Sequence, residues 1–360
     1  MGKAFMQIYR QMLTVMKSRG GAYSGADIPE FYALVKELFT PEEAEVNNAL
    51  DRKPARAADI AAKMNRDEAQ IRQILDQMAD KGLCVTFTSD NTRLYMGSSF
   101  MPGIFEFQMI AGKSGQREIR IARLIHEYKE ACHKAKLVPK PAYPLTRVIP
   151  VEKSIHAGNV LRTYDQVSTY IDKYDSIAVG ICYCRHAAKL RGEDTHDMPM
   201  DVCMWFGHIA EYMAERLGGK MVNKAQAREV LDRSEKAGLL HMSRNTAEDI
   251  DFICNCDRWH CEVVTQVLKN SRPGLFFNSG FEPIFDADKC IACETCIERC
   301  PPEALKMGAD TPLVNFDLCF GCGLCASGCE QNAISMKTKQ GFAPPPKDVR
   351  ALVFALKSAG

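Results

Sequence analysis

Between Cys290 and Cys329 one spacing is written twice. Cys290, Cys293, Cys296 and Cys300 follow C-x2-C-x2-C-x3-C, and Cys319, Cys322, Cys325 and Cys329 repeat it. Eight soft donors so close together must either cross-link or bind metal, which constrains the fold more than any hydrophobic pattern. The chain carries 16 cysteines in 360 residues. Disulfide scaffolds are mostly short secreted chains. Here the N-terminus, MGKAFMQIYRQMLTVMKSRG, scatters charges and shows no apolar leader core and no twin-arginine signal. Met6 stands where a myristoylation motif needs Ser or Thr. The longest apolar runs, SIAVGIC and ALVFAL, are too short to span a bilayer. A cytoplasmic, reducing setting with metal-bound thiolates is the expectation.

Thiolates of this kind select iron–sulfur clusters or zinc. Zinc sites usually show two separated C-x2-C pairs. Three cysteines at x2, x2 spacing with a fourth beyond match the bacterial ferredoxin run, whose fourth cysteine serves the other cluster. That rule predicts two [4Fe-4S] clusters. One takes Cys290, Cys293, Cys296 and Cys329; the other takes Cys319, Cys322, Cys325 and Cys300. Gly321 and Gly323 let backbone amides approach sulfur closely, and Pro301 turns the chain after the crossing ligand. The C-terminal region thus resembles a dicluster ferredoxin domain of the 2[4Fe-4S] type. It departs from that pattern at Glu330, where a proline would follow the last cysteine. Clusters ligated wholly by cysteine pass single electrons and leave no open coordination position, so no catalytic residue is assigned.

The sequence before the repeat reads as an α+β multidomain chain. Helical patterns cover 3–19 and 28–38, and Thr40-Pro41-Glu42-Glu43 opens a third helix with Thr40 as N-cap. ARAADIAAKM and the run after Asn65 continue the pattern, with Ile71, Leu75 and Met78 on one face and Gly82 as the stop. LCVTFTSDNTRLYM alternates around a Ser-Asp-Asn-Thr turn, a hairpin signal. Over residues 38–98 this order resembles a winged helix. A basic helix at 117–137 precedes the proline-rich stretch 139–144. From 145 to 280 strand-like runs (SIAVGICYC, GLLHMS, DFICNC) alternate with helical ones (DVCMWFGHIAEYMAERLGG, NKAQAREVLDRSEKAG), an α/β pattern. The expected divisions are a winged-helix-like domain at 1–110, a basic helix and linker at 111–144, an α/β middle domain at 145–280, a ferredoxin domain at 281–340 and a tail at 341–360.

Six cysteines lie in the middle region: Cys182, Cys184, Cys203, Cys254, Cys256 and Cys261. Two C-x-C pairs end strand-like runs, where side chains two apart share a face. A third metal centre is one reading, with His186, His208 and His260 nearby in sequence; inert thiols or a redox-labile pair is the other. Cys84 and Cys132, isolated in their patterns, read as small hydrophobes, and His126 and His241 as packing or surface residues. The order of winged helix, MPGIFEFQ, VGICYCR, EKAGLLH, ICNC and the repeat is similar to a group of ferredoxin-like proteins of anaerobes. That group often has more cysteines after C-N-C, where this chain has Asp257, Trp259 and His260.

Charge argues against a nucleic-acid reader. Net charge is +1 overall, and residues 1–110 hold 13 Lys plus Arg against 14 Asp plus Glu. The helix in the recognition position mixes Arg66, Arg72 and Lys81 with Asp67, Glu68, Asp76 and Asp80, and the wing has Arg93. Residues 111–140 carry Lys113, Arg117, Arg120, Arg123, Lys129, Lys134, Lys136 and Lys140 against Glu118, Glu127 and Glu130, a net of +5. That stretch reads as a solvated helix face or as docking for an acidic partner. No dinucleotide, P-loop or nucleophile-elbow motif occurs. The function expected is an electron-transfer protein or subunit exchanging single electrons with a partner oxidoreductase. The alternatives are a redox-responsive DNA-binding regulator and a reductase using a metal in the middle domain.

Overall fold

The computed structural model describes residues 2–138, 143–155 and 165–359. Of the proline-rich stretch, residues 139–142 lie outside the described residues. The chain forms two compact units that do not follow sequence order: residues 1–140, 180–195 and 208–221 make the first, and 141–179, 196–207 and 222–360 the second. No helix among the described residues is long and apolar enough to cross a membrane.

The first unit is mostly helical. Gly2–Arg19 and Pro29–Leu38 are followed by Pro41–Ala49, Ala57–Met64 and Glu68–Asp80, then by an antiparallel hairpin of Cys84–Ser89 and Thr92–Gly97. Local chemistry sets these boundaries. The Thr40 hydroxyl accepts from the Glu43 N–H (3.2 Å) while the Glu43 carboxylate accepts from the Thr40 N–H (2.9 Å), a reciprocal capping box. Asn65 and Gly82 close their helices in the left-handed region. Asp90 and Asn91, both at positive φ, make the two-residue hairpin turn that a twisted antiparallel pair requires. Phe31, Phe100, Phe105 and Tyr128 fill the interior with ring contacts of 5.0–6.5 Å. Tyr128 comes from the helix Gln116–Lys134. The Arg19 guanidinium is also interior, donating to the Asn47 side chain and to the carbonyls of Asn47, Leu50 and Ser98. Burial lowers it to about 10. The helix His208–Arg216 lies on the hairpin side of Glu68–Asp80. The Tyr212 hydroxyl donates to the carbonyls of Ala79 (3.0 Å) and Cys84 (2.7 Å), and Arg216 pairs with Asp76 and Asp80.

The second unit is built on a sheet. Its strands Thr146–Ile149, Leu240–Arg244, Phe252–Cys256, Cys203–Phe206 and Ile177–Gly180 lie in that order. Leu240 pairs with Cys256 and Met242 with Cys254, while Met204 pairs with Ile253. Directly paired residues share a face, so Ile149, Ile253, Met204 and Phe206 point one way. That side is covered by the helices Val167–Lys173 and Lys224–Lys236 through Tyr170, Ile171, Ala227 and Val230. Val148, Leu240, Met242 and Cys256 point the other way. They pack with Val264 and Val267 of the helix Glu262–Val267 and with Phe320, Cys322 and Leu324 of the second cysteine run. Each face of the sheet thus has its own core, and one of them is shared with the cysteine repeat.

Two sequence expectations change. DVCMWFGHIAEYMAERLGG is not one helix: Cys203–Phe206 is a strand, and Gly207, at φ +61°, separates it from the helix beginning at His208. The apolar run VCMWF pairs into the sheet, and burial there overrides the helical pattern. The C-x-C at Cys182 and Cys184 does not end a strand either. The strand stops at Gly180, Cys182 stands just before the helix Tyr183–Leu190 at its N-cap position, and Cys184 sits in its first turn.

Candidate iron–sulfur site

The cysteine repeat folds as two copies of one pattern. Strand Phe281–Phe285, a cysteine loop, the turn Thr295–Glu298 and strand Leu305–Met307 form the first. Strand Pro312–Val314, a second loop, the turn Leu324–Ser327 and strand Ile334–Thr338 form the second. The outer strands pair antiparallel with each other, as do the inner ones. This interlocking carries the last cysteine of each copy toward the loop of the other.

Two cavities result. One, about 320 Å³ including its open mouth, is lined by Cys300, Cys319, Cys322 and Cys325 with Pro283, Pro301, Leu305 and Met336. The other, about 370 Å³, is lined by Cys290, Cys293, Cys296 and Cys329 with Met307, Pro312 and Ile334. Each cavity is lined by the first three cysteines of one run and the last cysteine of the other. Among the described residues, no three His, Cys, Asp or Glu side chains converge on the position of a single ion. Four thiolates that each bind a different iron of a cubane stand apart, whereas zinc needs its four donors at one point.

The loops are shaped by left-handed backbone. In the second loop these positions are Gly321 (φ +66°) and Gly323 (φ +80°); in the first they are Ala292 (φ +54°) and Glu294 (φ +60°). Alternating left-handed residues turn successive N–H groups toward the concave side. Gly321 N–H points at Cys319 Sγ (3.4 Å), Ala304 N–H at Cys300 Sγ (3.2 Å) and Ala333 N–H at Cys329 Sγ (3.4 Å). Glycine is obligatory at 321 for a second reason. A Cβ there would collide with the Phe281 carbonyl and stand 2.7 Å from Ser279 Oγ.

The two cavities differ in exposure. Cys300, Cys322 and Cys325 are buried and Cys319 is half-buried; in the other quartet Cys296 is buried, Cys290 and Cys329 are half-buried and Cys293 is exposed, beside Ile291 (64 % exposed). Leu313, in the neighbouring strand, is 66 % exposed. Burial pushes the Cys300 and Cys322 thiols up to about 12 and Cys325 well above the ordinary thiol range. The Thr295 hydroxyl, 3.5 Å from Cys293 Sγ, moves Cys293 the other way. Buried thiols of this kind become thiolates only when a cation supplies the compensating charge, and iron is such a cation. The residues present therefore fit [4Fe-4S] clusters.

Supports invisible in the cysteine spacing hold the inner loop. Val151 N–H donates to the Cys322 carbonyl (3.0 Å), and Ser279 donates through N–H to Phe320 O (3.0 Å) and through Oγ to Gly321 O (2.6 Å). Arg299, just before the crossing Cys300, donates to the carbonyls of Leu324 (3.2 Å), Glu235 (2.8 Å) and Lys236 (3.1 Å). An arginine next to a cysteine ligand is the one signal for this clamp, and it is too common to have marked the residue.

The six middle cysteines divide between the two units. Cys182 and Cys184 belong to the first unit, while Cys203, Cys254, Cys256 and Cys261 belong to the second. Cys254 and Cys256 share the sheet face described above, and Cys203, one residue before Met204, comes level with Cys254 on the next strand. Cys261 returns to the same core. Asp257 builds the return: its buried carboxylate accepts from the N–H groups of Trp259 (2.9 Å), His260 (2.5 Å) and Cys261 (3.3 Å) and faces His260 Nδ1 at 3.3 Å. Of the histidines, His186 Nε2 meets the Lys113 carbonyl (2.8 Å), His208 stacks on Phe87, and His241 is interior against Asn255. Cys84 and Cys132 are buried, as small hydrophobes would be. None of the sixteen cysteines forms a disulfide among the described residues.

No curated protein matches the chain. Residues 283–306 and 312–335 each match the family model of the 4Fe-4S binding domain. The C-terminal region is an iron–sulfur, ferredoxin-like module carrying two such repeats.

Proposed function

We propose that this chain is an electron-transfer protein holding two [4Fe-4S] clusters. Cys290, Cys293, Cys296 and Cys329 ligate the outer one, and Cys300, Cys319, Cys322 and Cys325 the inner one. The observation that carries this reading is the crosswise lining of the two cavities. Bound clusters supply one-electron uptake and release at low potential. The chain's part is to fix the thiolates, direct N–H groups at their sulfurs and exclude water from the inner quartet. A partner oxidoreductase docks on the exposed edge of the outer quartet, where Ile291 and Leu313 offer apolar contact.

The helical first unit, read as winged-helix-like, serves as scaffold and docking module. Arg72 pairs with Glu68, Arg93 with Glu215, and Arg216 with Asp76 and Asp80. Cations satisfied in this way are poor phosphate ligands.

Iron and sulfide analysis of the chain purified without air tests the reading. About eight of each per chain are expected, with two interacting paramagnetic centres on reduction. A colourless protein, or one holding zinc, would sink it.

A further inference from the structure

We infer that the inner quartet has an electron port of its own at Cys319, so that the chain conducts between two redox proteins bound at once. The inference rests on the reading of Cys300, Cys319, Cys322 and Cys325 as cluster ligands. Three observations carry it. Cys300, Cys322 and Cys325 are buried, whereas Cys319 is half-buried, so the way from this quartet to solvent leads past Cys319. Residues 272–278 are strapped across that position. Gly274 N–H donates to Asp317 O (2.8 Å), the Asn278 side chain donates to Gly274 O (2.9 Å), and Arg272 pairs with the Asp317 carboxylate (2.9 Å). A Cβ on Gly274 would stand 2.5 Å from the Cys319 carbonyl oxygen and 2.9 Å from its nitrogen, so the cover at this point is bare backbone. The residues beside that contact are large, apolar and open: Leu275 is 50 % exposed and Phe316 46 %.

A quartet reachable only through the outer one would return every electron by the door it entered and would add no route. With Cys293 exposed at the outer end and Cys319 half-buried at the inner end, the two quartets stand in series between two surfaces. One electron arrives at one end from a reduced flavin- or iron–sulfur-bearing protein, and one leaves at the other to an oxidised protein of the same class. No bond forms and no proton moves. The port also selects its occupant. Arg272 and Asp317 neutralise each other beside Leu275 and Phe316, so the patch has an apolar centre and a rim pair without net charge. It fits an uncharged, apolar face on the second partner rather than an acidic or a basic one. Leu275 and Phe316 supply contact area there, and Gly274 keeps the insulation over Cys319 thin.

The full chain, purified and reduced without air, is oxidised in stopped flow at low salt by tris(phenanthroline)cobalt(III). This bulky one-electron oxidant has apolar ligands and a positive charge that added lysines repel. Iron and sulfide are counted on the same samples. Ile291→Lys with Leu313→Lys closes the outer end, and Leu275→Lys with Phe316→Lys the inner one; all four positions are exposed, so folding is spared. With two ports, the outer pair alone leaves a substantial part of the rate, and adding the inner pair removes it, for a total loss of about tenfold. An inner pair without effect, alone or on top of the outer pair, overturns the proposal while the electron-transfer reading stands. Gly274→Ala gives a readout that does not depend on electron transfer. Its Cβ lifts the strap from Cys319, so about half of the iron should pass to a water-soluble chelator several-fold faster, with the other half unchanged. Equal release from variant and parent also overturns the proposal. A chain lacking iron takes down both readings together, and the iron count tells that result from a closed port.

Discussion

Arg299 offers the sharpest test of how the inner cysteine loop is held. Its guanidinium donates to Leu324 O on the loop and to Glu235 O and Lys236 O at the end of the helix Lys224–Lys236. Arg299→Met keeps most of the aliphatic stem and deletes every donor. A hydrogen bond from a charged group contributes about 1.5–3 kcal/mol when shielded from water. Two of the three are part-buried, and the third, to Lys236, is exposed and contributes little. The cation also faces the negative end of a helix dipole. Allowing for non-additivity of bonds sharing one donor group, the loss comes to about 2–4 kcal/mol. In urea that is a shift of the midpoint by about 1 M for a slope near the upper end of the usual range. The assay is equilibrium unfolding of the reconstituted protein, paired with the reduced-state spectrum. Because Cys300 is adjacent, broadening confined to the cluster it serves is expected. A loss below about 0.5 kcal/mol, or a spectral change confined to the outer centre, would refute the reasoning.

Three further outcomes are expected. If the ligands cross, adding Cys300→Ser to a Cys319/Cys322/Cys325 triple-serine variant removes no more iron, whereas adding Cys329→Ser does; iron analysis giving the reverse order restores purely local ligation. Gly321→Ala forces a Cβ into the Phe281 carbonyl at φ +66°, costing about 1–2 kcal/mol for the left-handed backbone and about 1–3 kcal/mol for the overlap, read as a lowered urea midpoint, while Ala292→Gly at the equivalent position is neutral or stabilising. Burial lowers His241 from its ordinary value, so the unfolded chain takes up the proton first as pH falls: stability is full above the unfolded value of about 6.5 and declines below it by up to about 1.4 kcal/mol per pH unit until the folded group protonates. In His241→Gln the decline attributable to this residue should vanish from urea midpoints measured between pH 7 and 5.

What sequence made legible was whatever is local. The Thr40 N-cap, the Ser-Asp-Asn-Thr turn and the helix stop at Gly82 are decided within a few residues, and each is found where expected. The thiol repeat was legible because its spacing encodes ligand chemistry. VCMWF misled because an apolar run of that length suits a helix or a buried strand equally, and only its neighbours in the sheet decide. The supports from Val151, Ser279 and Arg299 lie far from the loops they hold or use common residue types, so no periodicity points to them. Asp257 looked like a lost ligand; its carboxylate instead shapes the turn that brings Cys261 back.

The sheet face bearing Val148, Leu240 and Met242 has a consequence for how this molecule matures. Its apolar partners include Phe320 and Leu324 from the second cysteine run, so residues 281–340 excised alone would bare a greasy flank to water. If the interior quartet holds a cluster as proposed, its loading and the completion of that sandwich are mutually dependent events. Cofactor delivery would then have to coincide with closure of the surrounding architecture.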